Sequence, residues 1–163
     1  MKHVIAFVLL LAVSASAHAD FDGRVVKVAD GDTVTVLHNR EQVRVRLGSI
    51  DAPEKRQAFG TRSQQHLSAL VFGRTVRVVE DGKDRYGRTI GVLHVQGVNV
   101  NREMVRAGMA WAYTDYLNDR LMPVLEIQAR VSGTGLWADP HPVAPWQFRR
   151  NEAAARRAKK AQN

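Results

Sequence analysis

Between Arg44 and Glu54 the sequence reads RVRLGSIDAPE, placing two guanidiniums and two carboxylates within eleven residues. Val43, Val45 and Leu47 alternate with Gln42, Arg44 and Arg46, the period-two pattern of a strand with one buried face, so Arg46 projects opposite the valines. Gly48 permits a kink or bulge, Ile50 returns to the core, and Asp51-Ala52-Pro53-Glu54 leaves the sheet as a turn. This spacing predicts Asp51 and Glu54 at a strand end beside Arg46. The alternative is a surface ion-pair network, which would contribute little. Asp32 extends the set: it follows Asp30-Gly31 at the foot of another strand, where its carboxylate can point into the open end of the sheet, whereas Asp30 is accounted for as a turn former. The loop Asp81-Gly82-Lys83-Asp84-Arg85-Tyr86-Gly87-Arg88 carries three cations and a tyrosine that a hairpin does not require. Arg88, directly after a glycine and at the start of a strand, is placed for a bidentate phosphate contact.

Asp32 and Asp51, with a backbone carbonyl and waters, suit a hard cation, Ca²⁺ or Mg²⁺, better than a soft metal. Cysteine is absent and the six histidines are scattered, which argues against zinc. Two guanidiniums and a hard cation around one phosphodiester would offset the charge that builds on its oxygens, with Glu54 activating or orienting a water. Hydrolysis of a phosphodiester is the chemistry to which these residue types point.

The elements that must position them are short. Strands are predicted over Arg24 to Val28, Thr33 to Leu37, the Arg44 stretch, Thr75 to Glu80 and Thr89 to Val95, and a helix from about Ala58 to Phe72 separates the third from the fourth. A second helix, about Val100 to Ala107, has Asn99 as its N-cap, and a third, about Leu121 to Val131, is stopped by Gly133-Thr134-Gly135. Trp111 reads as core, while Tyr113 and Tyr116 serve either packing or stacking on a base. Prolines at 140, 142 and 145 suggest an extended arm over 136–150, and the Ala-rich basic tail reads as a solvated helix or a disordered arm. Five meandering strands with one interposed helix predict an α+β, mainly β chain built on a five-stranded OB-fold barrel, an architecture that binds oligonucleotides or oligosaccharides.

With 163 residues the chain is sized for one domain plus extensions. Lys2, the apolar run Val4 to Val13 and Ala17-His18-Ala19 read as a cleavable secretory signal over residues 1–19, cut after Ala19. The run is too short for a stable membrane anchor. The expected location is therefore secreted or periplasmic, without disulfides to assist the core. The formal charge is +8, and removing residues 1–19 takes one lysine and no acid, leaving 23 basic against 16 acidic residues. That balance favours polyanions.

Asp30-Gly31-Asp32-Thr33, Arg46-Leu47 five residues before Asp51, Ala52-Pro53-Glu54, Asp84-Arg85-Tyr86-Gly87-Arg88 and Gly108-Met109-Ala110-Trp111 together resemble the staphylococcal nuclease (thermonuclease) family, over roughly Phe21 to Trp137. The resemblance implies an OB-fold barrel capped by three helices and a Ca²⁺-dependent nuclease that cuts DNA and RNA and leaves 3′-phosphate ends. It assigns Asp32 and Asp51 as metal carboxylates, with the backbone carbonyl of Ala52 as a further ligand. Glu54 becomes the general base or water positioner, and Arg46 and Arg88 hold the phosphate. Arg85 and Tyr86 fall where the family contacts a terminal phosphate, and Tyr113 and Tyr116 are the candidates for base stacking. Ala52 stands where the best-known member has a threonine.

The expected organisation is thus a signal peptide over 1–19, a nuclease-like OB-fold domain over 20–138 and a basic Pro/Ala-rich extension over 139–163. A monomer without a stable protein partner or transmembrane anchor is expected. Two other classes compete: a non-catalytic OB-fold module that binds nucleic acid, and an envelope-associated structural protein using its basic surface.

Overall fold

The computed structural model describes residues 20–162, so the expected signal peptide lies outside the described residues. The first half of the chain forms β1 (Phe21–Val28), β2 (Thr33–His38), β3 (Glu41–Leu47), β4 (Ile50–Asp51), α1 (Gly60–Val71), β5 (Thr75–Lys83) and β6 (Thr89–Val95). The second half forms β7 (Val98–Asn99), α2 (Val100–Arg106), β8 (Trp111–Ala112), α3 (Met122–Val131) and α4 (Pro145–Ala161).

Alternating apolar residues build the barrel. Val25, Val34, Val36, Val45, Leu47, Val76, Val78, Leu93 and Val95 are all buried, as the two-residue side-chain period of a strand requires. Strand order is β3-β2-β1-β5-β6, and β3 pairs with β6 in parallel (Val45↔Thr89, Arg46↔Ile90, Leu47↔Gly91), closing five strands into the expected OB-type barrel. A register shift between Val25 and Lys27 marks a bulge that bends β1, which pairs with both β2 and β5. β5 continues to Lys83, past the predicted end at Glu80, because a register shift lets Lys83 pair with Thr89.

The helices close the barrel around a continuous core. Leu67 and Val71 of α1, Met104 and Val105 of α2 and Met122 of α3 join the barrel residues in it. The Asn99 side chain accepts the Arg102 N–H at 3.0 Å, the expected N-cap of α2. Asn101 is fully buried; its amide donates to the carbonyls of Gly48 (3.0 Å) and Gly91 (3.1 Å), and its Oδ1 accepts the Leu93 N–H at 3.0 Å. One side chain thereby ties α2 to β6 and to the turn that follows β3.

The proline-rich segment departs from the sequence reading. Residues 136–150 are not an extended arm: Gly135–Ala138 is a 3₁₀ turn, and a fourth helix, α4, starts at Pro145. Proline at the first helical position has a preset φ and loses no hydrogen bond there. Packing holds the segment down. Trp111, Ala129, Leu136 and Trp137 form a second apolar cluster, on which Phe59, Ala144 and Trp146 pack. No helix among the described residues is long and apolar enough to cross a membrane.

Candidate active site

The β2–β3 hairpin places the first members of the site. Thr33 pairs with Arg46 across it, so Asp32 and Arg46 emerge at the same end of the barrel. The Arg46 guanidinium lies between two acids, its Nη2 3.4 Å from Asp32 Oδ2 and 3.2 Å from Asp51 Oδ1. Asp51 reaches it because β4 pairs with β8, Asp51 opposite Trp111, directly after the turn at Gly48 and Ser49. Both aspartates are buried.

Glycine permits the close approach. A side chain at Gly31 would collide with Ser63 of α1 and with Ala52, and one at Gly60 would strike the carbonyl of Glu54. Asp32 therefore seats against the Asp51–Glu54 turn, its Oδ2 accepting the Ala52 N–H at 3.2 Å and its Oδ1 accepting the Thr33 hydroxyl at 2.9 Å.

Arg88 joins from the β5–β6 hairpin. Asp84 organises that turn: its Oδ1 accepts the N–H groups of Tyr86 (2.8 Å) and Arg88 (3.0 Å), and its Oδ2 accepts Arg88 Nε at 2.6 Å. Burial pushes the Asp84 carboxyl up, but the Arg88 side chain and these backbone donors outweigh it and hold the group below its ordinary range. Arg88 Nη1 is 3.5 Å from the Thr33 hydroxyl, so a polar chain runs Arg88–Thr33–Asp32. Arg85 and Tyr86 form the rim, Arg85 and Arg88 lying 4.9 and 5.8 Å over the Tyr86 ring, which is 70% exposed.

The tyrosines come from the loop after β8. Tyr113 donates its N–H to the Ser49 carbonyl at 2.9 Å, and its ring lies 5.9 Å from the Arg46 guanidinium. Tyr116 is tilted against Tyr113 at 5.1 Å and is 65% exposed. Both predicted tyrosines thus reach the site, Tyr113 beside Arg46 and Tyr116 at its edge.

Four residues beyond the sequence reading take part. Thr33 links Arg88 to Asp32. Asp30 accepts the Asp32 N–H at 3.1 Å, as a turn former does, but burial and the adjacent Asp32 charge also raise its carboxyl to about 6. Arg149 and Trp146 arrive from α4. Arg149 binds Asp51 with both nitrogens (Nη2–Oδ2 2.7 Å, Nη1–Oδ1 3.2 Å) and donates to Glu54 Oε1 at 2.8 Å. Burial pushes the Asp51 carboxyl above its ordinary range, opposed chiefly by the Arg149 hydrogen bond. Trp146 stacks on Tyr113 and stands edge-on to Trp111. The sequence signal for both was Pro145 followed by an aromatic and an arginine three residues apart on one helical face.

Among the described residues, no cluster of three or more His, Asp or Glu side chains is arranged to hold a metal ion. Asp32 and Asp51 nevertheless converge as a buried pair of hard oxygen donors, with guanidinium groups as their cationic partners. That donor chemistry fits a hard divalent cation with backbone and water oxygens completing the shell.

Residues 44–139 match the family model described as staphylococcal nuclease homologue. An uncharacterized endonuclease of Escherichia coli is 47% identical over 150 residues, covering 91% of this chain and 98% of that protein. The micrococcal nuclease of Shigella flexneri is 47% identical over 157 residues, 90% of each chain. A staphylococcal-like nuclease of Arabidopsis thaliana is 33% identical over 129 residues, 77% of this chain and 40% of that protein.

Proposed function

Because this chain belongs to the staphylococcal nuclease family, and is on that ground a nuclease, we propose that it is a secreted or periplasmic Ca²⁺-dependent endonuclease that hydrolyses DNA and RNA and leaves 3′-phosphate ends. The observation that carries this reading is Arg46, held between the two buried aspartates with Glu54 in the adjoining turn. Asp32, Asp51 and the backbone carbonyl of Ala52 would hold Ca²⁺, which supplies positive charge against the phosphate oxygens when bound. Arg46 and Arg88 clamp the phosphodiester as planar forks, Arg88 oriented by Asp84. Glu54 takes a proton from the attacking water as its oxygen bonds to phosphorus. The bond from phosphorus to the 5′ oxygen breaks, and that oxygen leaves as a hydroxyl after taking a proton from solvent. Tyr113 and Tyr116 offer rings to a base, and Arg85 and Tyr86 meet a terminal phosphate at the rim.

The test is incubation of the chain from Asp20 onward with single-stranded DNA and RNA, with Ca²⁺ and with a chelator, followed by analysis of the product ends. Chelator-sensitive cleavage of both polymers to 3′-phosphates is expected. Salt-sensitive binding without cleavage under any divalent ion would overturn the reading in favour of a non-catalytic module. Export is tested separately, by N-terminal sequencing of the protein recovered outside the cytoplasm, with Asp20 expected first.

A further inference from the structure

Trp146 and Arg149 lie about one turn apart near the start of α4, and each occupies a position the proposed reaction needs. Arg149 takes both oxygens of Asp51 and one of Glu54. Trp146 lies almost flat on Tyr113, ring centroids 5.6 Å apart and planes 13° from parallel, the arrangement a nucleobase adopts on an aromatic side chain. A single turn of helix thus sits on the carboxylates and on the stacking platform together.

The charges make Arg149 and a divalent cation competitors. Asp32, Asp51 and Glu54 are three carboxylates, and Arg46 and Arg149 are the two guanidiniums in ion-pair contact with them. Withdrawing Arg149 leaves this group two negative charges in excess, which one divalent cation balances. Asp51 is fully buried; its Oδ1 already accepts from Arg46 and Arg149, and its Oδ2 from Arg149. A cation arriving with Arg149 in place would face two guanidiniums at close range in a poorly screened site.

Beyond Trp146, which packs on the Trp111–Trp137 cluster and on Tyr113, the remaining attachments of α4 are light. Arg149 is 41% exposed, and the Arg56–Glu152 pair that follows it, at 2.8 Å, has an Arg56 side chain that is 75% exposed. A groove of about 200 Å³, half open to solvent and lined by Pro53, Arg56, Phe59, Trp111, Val143 and Phe148, runs between this segment and the turn that carries Glu54.

We propose that α4 is a reversible cover of the site in which the Arg149 guanidinium and a divalent cation are alternative partners of Asp51, so that cation and nucleic acid bind as residues 145–152 lift away. This rests on the divalent-cation reading of Asp32 and Asp51 given above. When Ca²⁺ leaves, Arg149 returns to the carboxylates and Trp146 to Tyr113.

The test is calorimetric titration of Ca²⁺ into the wild-type protein, Arg149→Ala, Arg149→Lys and a remote control, Arg106→Ala, with hydrogen exchange of residues 145–152 followed in parallel. Arg149→Ala is expected to bind Ca²⁺ about two- to fivefold tighter than wild type, the size of a partly exposed ion pair. Arg149→Lys, which keeps the charge but loses the fork, should fall between them, and Arg106→Ala should match wild type. In the wild-type protein Ca²⁺ should speed amide exchange across 145–152. Equal or weaker Ca²⁺ binding by Arg149→Ala, or unchanged exchange in the wild type at saturating Ca²⁺, would overturn the cover while leaving the cation site standing. Absence of Ca²⁺ binding in all four proteins would overturn the cation reading and the cover with it. If Arg149→Ala does not fold, the lysine variant and the wild-type exchange decide the matter.

Discussion

Asp51 and Arg149 meet as a two-point fork, at 2.7 and 3.2 Å, across 98 residues of sequence. Asp51 makes this contact from a fully buried position and Arg149 from a half-buried one. Arg149 also satisfies Glu54, so the acid assigned to water activation is held from outside the barrel.

Glu54→Gln keeps the shape of that turn and an oxygen to accept the Arg149 hydrogen bond, but removes the proton acceptor. Turnover should fall by roughly 10²- to 10⁴-fold, with a thermal midpoint close to wild type. Steady-state kinetics on a single-stranded oligonucleotide, alongside a melting curve, checks both halves. Turnover within a few-fold of wild type would remove Glu54 from the chemistry.

Arg46→Gln leaves Asp32 and Asp51 buried without the charge that lies between them. Without Ca²⁺, unfolding free energy should drop by about 2–3 kcal/mol, the cost of taking one partner from a buried ion-pair group, reduced because Arg149 stays on Asp51. Added Ca²⁺ should raise the melting temperature of this variant more than that of the wild type, because Asp32 then lacks its ion-pair partner and Asp51 keeps only Arg149. Cleavage stays lost even with Ca²⁺, since the phosphate fork is gone. Calorimetric melts with and without Ca²⁺ provide the measurement.

Asn101→Ala removes three hydrogen bonds at once. The carbonyl of Gly48 and the N–H of Leu93 lose their partner in a buried place, and the carbonyl of Gly91 keeps only the Gly48 N–H. A loss of about 3 kcal/mol is expected, two or more buried polar groups at 1–3 kcal/mol each, partly relaxed. Denaturant unfolding reads it directly. A loss below about 1 kcal/mol would show that α2 is seated by its apolar face alone.

Arg102 and Asp119 tie α2 to the segment before α3 at 2.6 and 3.2 Å. The Arg102 guanidinium holds the Asp119 carboxyl below its ordinary range, more strongly than burial raises it. A carboxyl depressed in the folded state adds stability above its unfolded pKa, near 3.9, and loses it as pH falls toward the lower folded value. Asp119→Asn should therefore be less stable than wild type at pH 7, by about 1 kcal/mol after allowance for the half-exposed arginine. The gap should narrow on acidification to pH 3. Urea midpoints at the two pH values test this, and a gap that widens in acid would refute it.

What could be read from sequence depended on separation along the chain. Arg46 and Asp51 are five residues apart on a strand and its exit, so alternation and one turn fix both. Asp32 follows from the hairpin register that sets Thr33 opposite Arg46. Arg88 was legible as a rigid arginine after a glycine, although its anchor, Asp84, read as one more loop charge. Arg149 was legible only as one cation of the basic tail. It lies 95 and 98 residues from its partners, inside a run of prolines that suggests an arm and a run of cations that suggests solvent. Of the fourth helix only the basic end was legible, as a solvated helix or a disordered arm; its start at Pro145 was hidden because its seat is the Trp111–Trp137 cluster, which only the folded chain assembles.

The parallel pairing of β3 with β6 carries a consequence for when the enzyme becomes able to cut. Arg46 stands on one of these strands and Arg88 one residue before the other; their register, Val45 against Thr89, spans 44 positions of sequence. Closing so long a loop costs chain entropy before any contact repays it, which makes such a pair a late event in folding. The two guanidiniums that would grip a phosphate are therefore brought within reach of one another by the step that seals the barrel. A nascent or still unfolded chain carries every residue proposed for the site without holding Arg46 and Arg88 together, so a grip on a phosphodiester is expected only of the folded chain.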